Sequence, residues 1–283
     1  MLHLSPDSSE DLKGAFPSDW VLAARAPWFR NLVELGISWC TIEPVARIKG
    51  LAGCEAPALR RLSFSQCKRL GDDAAVELAR LALPALERLS IVNRDDQECG
   101  WRSSPQAHLS GRGMTAMARA WGHTLVEIVV IVNSGPSGSE AAITAALAAA
   151  RLPRLEALRL VRCDLPAVAL AHVAGAPWAG QLTQLDLAGN PPASAEGGVV
   201  YATLATLGWA VADGWGCFAV APLTSLRTLN LRAGLSPEHP CALLGRLFRA
   251  PTWLPGQVTS LVLDRLPHAA ELQALRAARA GQA

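Results

Sequence analysis

The side chains of this chain that could do chemistry are six histidines, seven cysteines and the carboxylate pairs Asp72-Asp73 and Asp95-Asp96. Two carboxylates share acid–base work only when both face one site. Neighbours in sequence do not, so Asp72-Asp73 reads as a helix start and Asp95-Asp96 as a solvated loop. His3, His108, His123, His172, His239 and His268 never share a helical face with a carboxylate or cysteine at ligand spacing, and the His-Glu-x-x-His pattern is absent. The stretch Asn133 to Ser139, NSGPSGS, is rich in Gly and Ser. It lacks the Gly-Lys-Ser/Thr of a phosphate-binding loop and reads as a strand-to-helix turn. Gly-x-Ser-x-Gly does not occur. The expectation is a protein that is not an enzyme, with no metal and no cofactor.

The elements that would position any site come from a recurring phrase. Leu32, Leu35, Ile37 and Cys40 set out Leu-x-x-Leu-x-Leu-x-x-(Cys or Asn). Leu59, Leu62, Phe64 and Cys67 repeat it, as do Leu155, Leu158, Leu160 and Cys163, and then Leu182, Leu185, Leu187 and Asn190. Looser copies start at Leu86, Leu125, Leu226 and Val258, and the base spacing is 27 residues. The last three positions of LxxLxL alternate, which predicts a short strand with one buried face. Asp72 to Leu81, DDAAVELARL, has apolar residues at helical spacing, with Asp72 or Asp73 as its N-terminal cap. Further helices are expected near 111–121, 139–150, 166–174, 239–249 and 268–279.

On these residues the chain resembles the leucine-rich-repeat family, and most closely its ribonuclease-inhibitor-like, cysteine-containing branch. The resemblance implies an α/β fold. It would be a right-handed solenoid of about eight repeats, with a curved parallel sheet on the concave face and helices on the convex face. It also implies that the last residue of each phrase turns inward to satisfy backbone groups. Asn does this well, and Cys weakly. Arg94, Gly234 and Leu266 depart from the pattern. Many cysteine-containing repeats resemble substrate-recognition subunits of ubiquitin ligases, although no adaptor-binding module is visible. A structural subunit of a large assembly is the other alternative.

Trp28, Trp121 and Trp178 each stand four residues before a phrase, and Trp253 five before one. Recurrence in register makes them seam fillers between a helix end and the next strand. A single domain is expected over 1–283, with an N-terminal tail and capping helix over 1–30 and a C-terminal capping helix over 267–283. Two segments break the period: a polar loop at 95–109 and a larger insertion at 191–220. Their Trp101 and Trp215 lie outside the tryptophan series and are candidate contacts, since insertions in solenoids often bind.

Composition narrows the partner. Apolar residues make up 51% of the chain and charged ones 18%, and the net charge is +2. That balance argues against a nucleic-acid binder held by phosphate contacts. No apolar run is long enough to span a bilayer. An odd cysteine count without CxxC spacing points to thiols in a reducing compartment, the cytoplasm or the nucleus.

The register also lists what the sheet exposes. Val92, Val129, Ile131, Val132 and Val161 form an apolar patch, flanked by Arg159, Arg162, Asp186, Arg232, Asp264 and Arg265. An apolar patch ringed by charge is what a protein-binding surface presents. The expected function is therefore a non-catalytic scaffold that binds a protein partner through its concave sheet and insertions.

Overall fold

The computed structural model describes residues 2–4, 27–38, 54–65, 67, 70–93, 109–132, 139–163, 165–190, 225–230 and 260–262. The insertion at 191–220 and all of that at 95–109 except Leu109 lie outside them, as do the N-terminal capping helix and the helices expected at 239–249 and 268–279. So do Cys40, Arg94, Asn133, Gly234, Leu266 and Trp253. The chain divides into two compact units, Met1–Leu155 and Glu156–Ala283.

In the first unit five strands pair in parallel and in chain order. They are β1 (Leu2–Leu4), β2 (Glu34–Ser38), β3 (Arg61–Ser65), β4 (Arg88–Asn93) and β5 (Glu127–Val132). The phrase sets their register. Leu35, Leu62, Leu89 and Ile128 are successive partners, and so are Ile37, Phe64, Ile91 and Val130. All eight are buried. Each such side chain taken from water stabilises the fold by roughly 1.5–3 kcal/mol. The start of the chain, read from sequence as a polar tail, instead contributes β1. Leu2 and Leu4 alternate like a phrase and pair with Leu35 and Ile37.

Three helices accompany these strands: α1 (Asp72–Leu78), α2 (Gly111–Trp121) and α3 (Ser139–Ala149). They occupy the stretches where apolar spacing predicts them. Neither helix nor strand buries its apolar face alone, so neighbouring copies close the core. Two glycines allow the helices to approach. A Cβ on Gly113 would stand 2.7 Å from Asp72 Oδ1 and 2.9 Å from the Ala75 Cβ. One on Gly111 would stand 2.7 Å from the carbonyl oxygen of Ala142.

The second unit repeats the plan with β6 (Ala157–Val161), β7 (Gln184–Asp186), β8 (Thr228–Asn230) and β9 (Ser260–Val262), again parallel and sequential. Helix α4 (Ala167–Ala174) follows β6. Each of the eight phrases thus carries a strand. One backbone device recurs at the strand entries of both units: a single carbonyl accepts two successive N–H groups from the next copy. Val33 O receives Arg60 and Arg61, Glu87 O receives Val126 and Glu127, and Glu156 O receives Thr183 and Gln184.

The inward ladder position behaves as the resemblance implies. Cys67 Sγ donates to Ile37 O at 3.3 Å. Asn190 is fully buried. Its Nδ2 donates to Leu160 O at 2.7 Å and Leu187 O at 2.8 Å. Its Oδ1 accepts from Cys163 N at 2.9 Å and Leu165 N at 3.4 Å. One side chain therefore ties two copies together at the point where both leave the sheet.

Two expectations need correction. Asp72 does not cap its own helix: Gly71 holds that position without a side-chain bond. The Asp72 carboxylate instead caps the next helix. Its Oδ1 accepts from Ser110 N at 2.7 Å and Gly113 N at 2.9 Å, and its Oδ2 from Ser110 Oγ at 2.5 Å. The close approach at Gly113 makes this reach available. The tryptophan series is also mixed. Trp121 is buried and its Nε1 donates to Leu81 O at 3.2 Å, and Trp178 is buried too. Trp28 is 45% exposed. The residues around it form a 3-10 turn, Pro27–Asn31, whose phase buries Phe29 instead.

Candidate functional site

Strand alternation creates the exposed face of the first unit. Arg61 to Ser65 and Arg88 to Val92 both run exposed, buried, half-buried, buried, half-buried. Three rows cross the strands on that face. The first contains Glu34, Arg61, Arg88 and Glu127, and the second Gly36, Ser63, Ser90 and Val129. The third contains Ser38, Ser65, Val92 and Ile131; at β2 both Gly36 and Ser38 are buried. The face therefore changes character along the rows, from small and hydroxylated at β2 and β3 to β-branched at β5.

Val92, Val129 and Ile131 are half-buried and adjacent, because Val92 and Ile131 are register partners and Val129 is two residues before Ile131. The structure therefore brings together three of the apolar candidates. Val132 lies on β5 opposite Asn93.

The first row is missing from the sequence-based candidates. It stands one residue before the second apolar position of each phrase, hence two before the second row and on the same face. Extending the alternation one step backwards would have found it. Its charges are ordered Glu, Arg, Arg, Glu. Arg61 Nη1 stands 3.5 Å from Glu34 Oε2, and Arg88 pairs with Glu127. The arginines are the more accessible members. Side-chain exposure is 56% for Arg61 and 46% for Arg88, against 30% for Glu34 and 11% for Glu127. An outer row pairs Arg60 with Glu87 in the same inter-repeat manner.

The second unit carries the other described candidates. Arg159 on β6 and Asp186 on β7 are register partners, and both are half-buried, as is Val161. Asp186 turns its Oδ1 to its own turn, accepting from Ala188 N at 3.0 Å. Arg162 is exposed and has a φ of 54°, in the left-handed region. Gly189, one repeat on, has the same turn with φ 73°. A Cβ there would meet the Arg162 Cγ at 2.5 Å. The aliphatic stem of Arg162 thus lies against the Gly189 backbone and leaves its guanidinium at the surface. Arg232, Asp264, Arg265, Trp101 and Trp215 lie outside the described residues.

Among the described residues, no group of His, Cys, Asp or Glu could hold a metal ion. No helix among them is long and apolar enough to cross a membrane. Cys67 and Cys163 are buried and Cys54 is half-buried.

Among the described residues, β2 to β7 bury the second and third apolar positions of the phrase, strands pair in parallel in chain order within each unit, and helices follow β3 to β6; these features define the class as a leucine-rich-repeat-like solenoid. No family model matches the chain, and no curated protein matches its sequence. Among solved structures it is similar to an internalin from Listeria monocytogenes, at 13% identity and a TM-score of 0.38. The match covers 87% of this chain and 59% of the internalin. The chain therefore spans less than two thirds of that protein, and nothing about function follows from the likeness.

Proposed function

We propose that this chain is a non-catalytic scaffold of the ribonuclease-inhibitor-like, cysteine-containing repeat type, working in the cytoplasm. It binds a protein partner through the exposed sheet face. The observation that carries this reading is the cluster Val92, Val129 and Ile131. These β-branched residues are only half-buried on strands whose other face already fills the core. Strand propensity alone favours such residues. Yet the same rows carry Gly and Ser on β2 and β3, so the strand does not require them. Arg159, Arg162 and Asp186 add polar contacts on the second unit's own face, where arginine is a common binding anchor. Binding needs no moving part. The buried ladder bonds hold the strands, and the strands hold the side chains in place, which lowers the ordering cost of association. Cysteines at the ladder position support the branch, and an odd cysteine count without CxxC spacing supports the compartment.

The test is purification of the full chain from its native cells, beside the variants Ile131→Asp and Arg159→Glu. Both change accessible positions and leave the melting temperature near that of the parent. The reading expects the parent's partners to be lost from either variant. Undiminished recovery with both variants rejects it. Co-purification of a ligase adaptor and scaffold would make the chain a substrate-recognition subunit.

A further inference from the structure

The order of charges on the first row is unusual for a sheet. Arg61 and Arg88 are direct register partners on β3 and β4. Adjacent strands are about 4.8 Å apart. Like charges placed opposite each other destabilise a strand pair. Alternating signs along the row would have avoided this, and the two acids needed are already there. They stand outside the arginines, at Glu34 and Glu127. Glu127 is buried and holds Arg88 from one side, while Glu34 holds Arg61 from the other. A guanidinium has five N–H donors in a planar fork, and one carboxylate does not exhaust them. Between the two arginines lies a place where a third carboxylate would relieve the repulsion. Local sequence choices that oppose the fold are expected where function needs them.

The same strands continue the site. Two residues on from the arginines, Ser63 and Ser90 are register partners and half-buried, so two hydroxyl-bearing positions follow the two arginines on one face. Next on that face come Val129, Val92 and Ile131. An anion subsite therefore borders an apolar one, both on a rigid sheet. The geometry points to an occupant of defined chemistry: an acidic, apolar segment of a partner protein. It places an Asp or Glu carboxylate on Arg61 and Arg88, and an aliphatic or aromatic side chain on Val92, Val129 and Ile131. Charge complementarity selects this occupant, because the two arginines are the more accessible charges of the row. The inference rests on the protein-binding reading above and adds the partner's chemistry to it.

Selection of a displayed library of random 12-residue peptides on the full chain tests this directly. The expected result is enrichment of peptides with an Asp or Glu a few residues from Leu, Ile, Val or Phe. Their binding weakens at least tenfold with Arg61→Ser, and at least tenfold with Ile131→Asp. Arg88→Lys supplies a second readout that keeps a cation beside the buried Glu127. It removes the fork and weakens binding while the melting temperature holds. Selected peptides that depend on Ile131 but not on either arginine overturn the acidic-partner inference and leave the interaction face standing. Peptides indifferent to all three variants, or no enriched peptide at all, overturn both. A dimer of the isolated chain that Ile131→Asp dissociates would assign the face to a second copy and also reject the inference.

Discussion

Cys67 in the first unit and Asn190 in the second occupy the same step of the repeat, and they hold it with different strength. The sulfur of Cys67 donates across to the carbonyl of Ile37, with a longer contact to its own strand at Ser65 O. The amide of Asn190 satisfies four backbone groups on two copies. A thiol is a weak donor that behaves mostly as a small apolar group, whereas an amide has two donors and two acceptor sites. The repeat therefore tolerates either residue but not at equal cost. In the first unit, bonds between helices through Asp72 and Ser110 and inter-repeat ion pairs along the strand entries add to the bond of Cys67. Exposed pairs of that kind are each worth at most about 1 kcal/mol. The same pairs leave the Arg61–Arg88 juxtaposition on the exposed sheet face.

Substitutions can break this contrast. Asn190→Ala should have the largest effect, because it strands two buried N–H groups and two carbonyls. A loss of about 3 kcal/mol is expected, read as a lowered midpoint in urea; a loss near that of Cys67→Ala would erase the distinction. Asp72→Ala should cost about 1–2 kcal/mol, since three donors at the start of α2 lose their acceptor at a half-buried site. Amide exchange of Ser110 and Gly113 should rise with it, while that of α1 should not. Exchange rising in α1 would mean that Asp72 serves its own helix after all. Cys67→Ala should cost about 1 kcal/mol, mostly from lost packing. Arg162 gives the smallest change. A non-glycine residue in the left-handed region carries about 1–2 kcal/mol of strain. Arg162→Gly relieves it but frees the unfolded chain, so the net gain should be under about 1 kcal/mol. Arg162→Val should be clearly destabilising, because a branched side chain suits that conformation worst.

The strands were legible in the sequence because a period of two inside LxxLxL assigns each side chain to one face. The same logic placed α2 and α3 at the bounds observed. What the sequence did not reveal depends on contacts between copies. The role of Asp72 is set by how closely α1 and α2 approach at Gly113, a distance no local pattern encodes. Trp28 kept the right spacing from Leu32, but the 3-10 turn around it shifted the buried position to Phe29. The Arg61–Arg88 row escaped for a simpler reason. The alternation that yields Ser63 and Ser65 reaches back to Arg61, and the exposed positions were read from the phrase's second apolar residue onward.

The proposed function requires that the sheet face, and not the helical side, meet the partner. Binding of a co-purified partner should be measured for the parent chain, for Ile131→Asp on β5 and for Arg119→Glu on the exposed side of α2, with matched melting temperatures. The account predicts that Ile131→Asp weakens binding at least tenfold and that Arg119→Glu leaves it unchanged. Loss with Arg119→Glu and full retention with Ile131→Asp would contradict it.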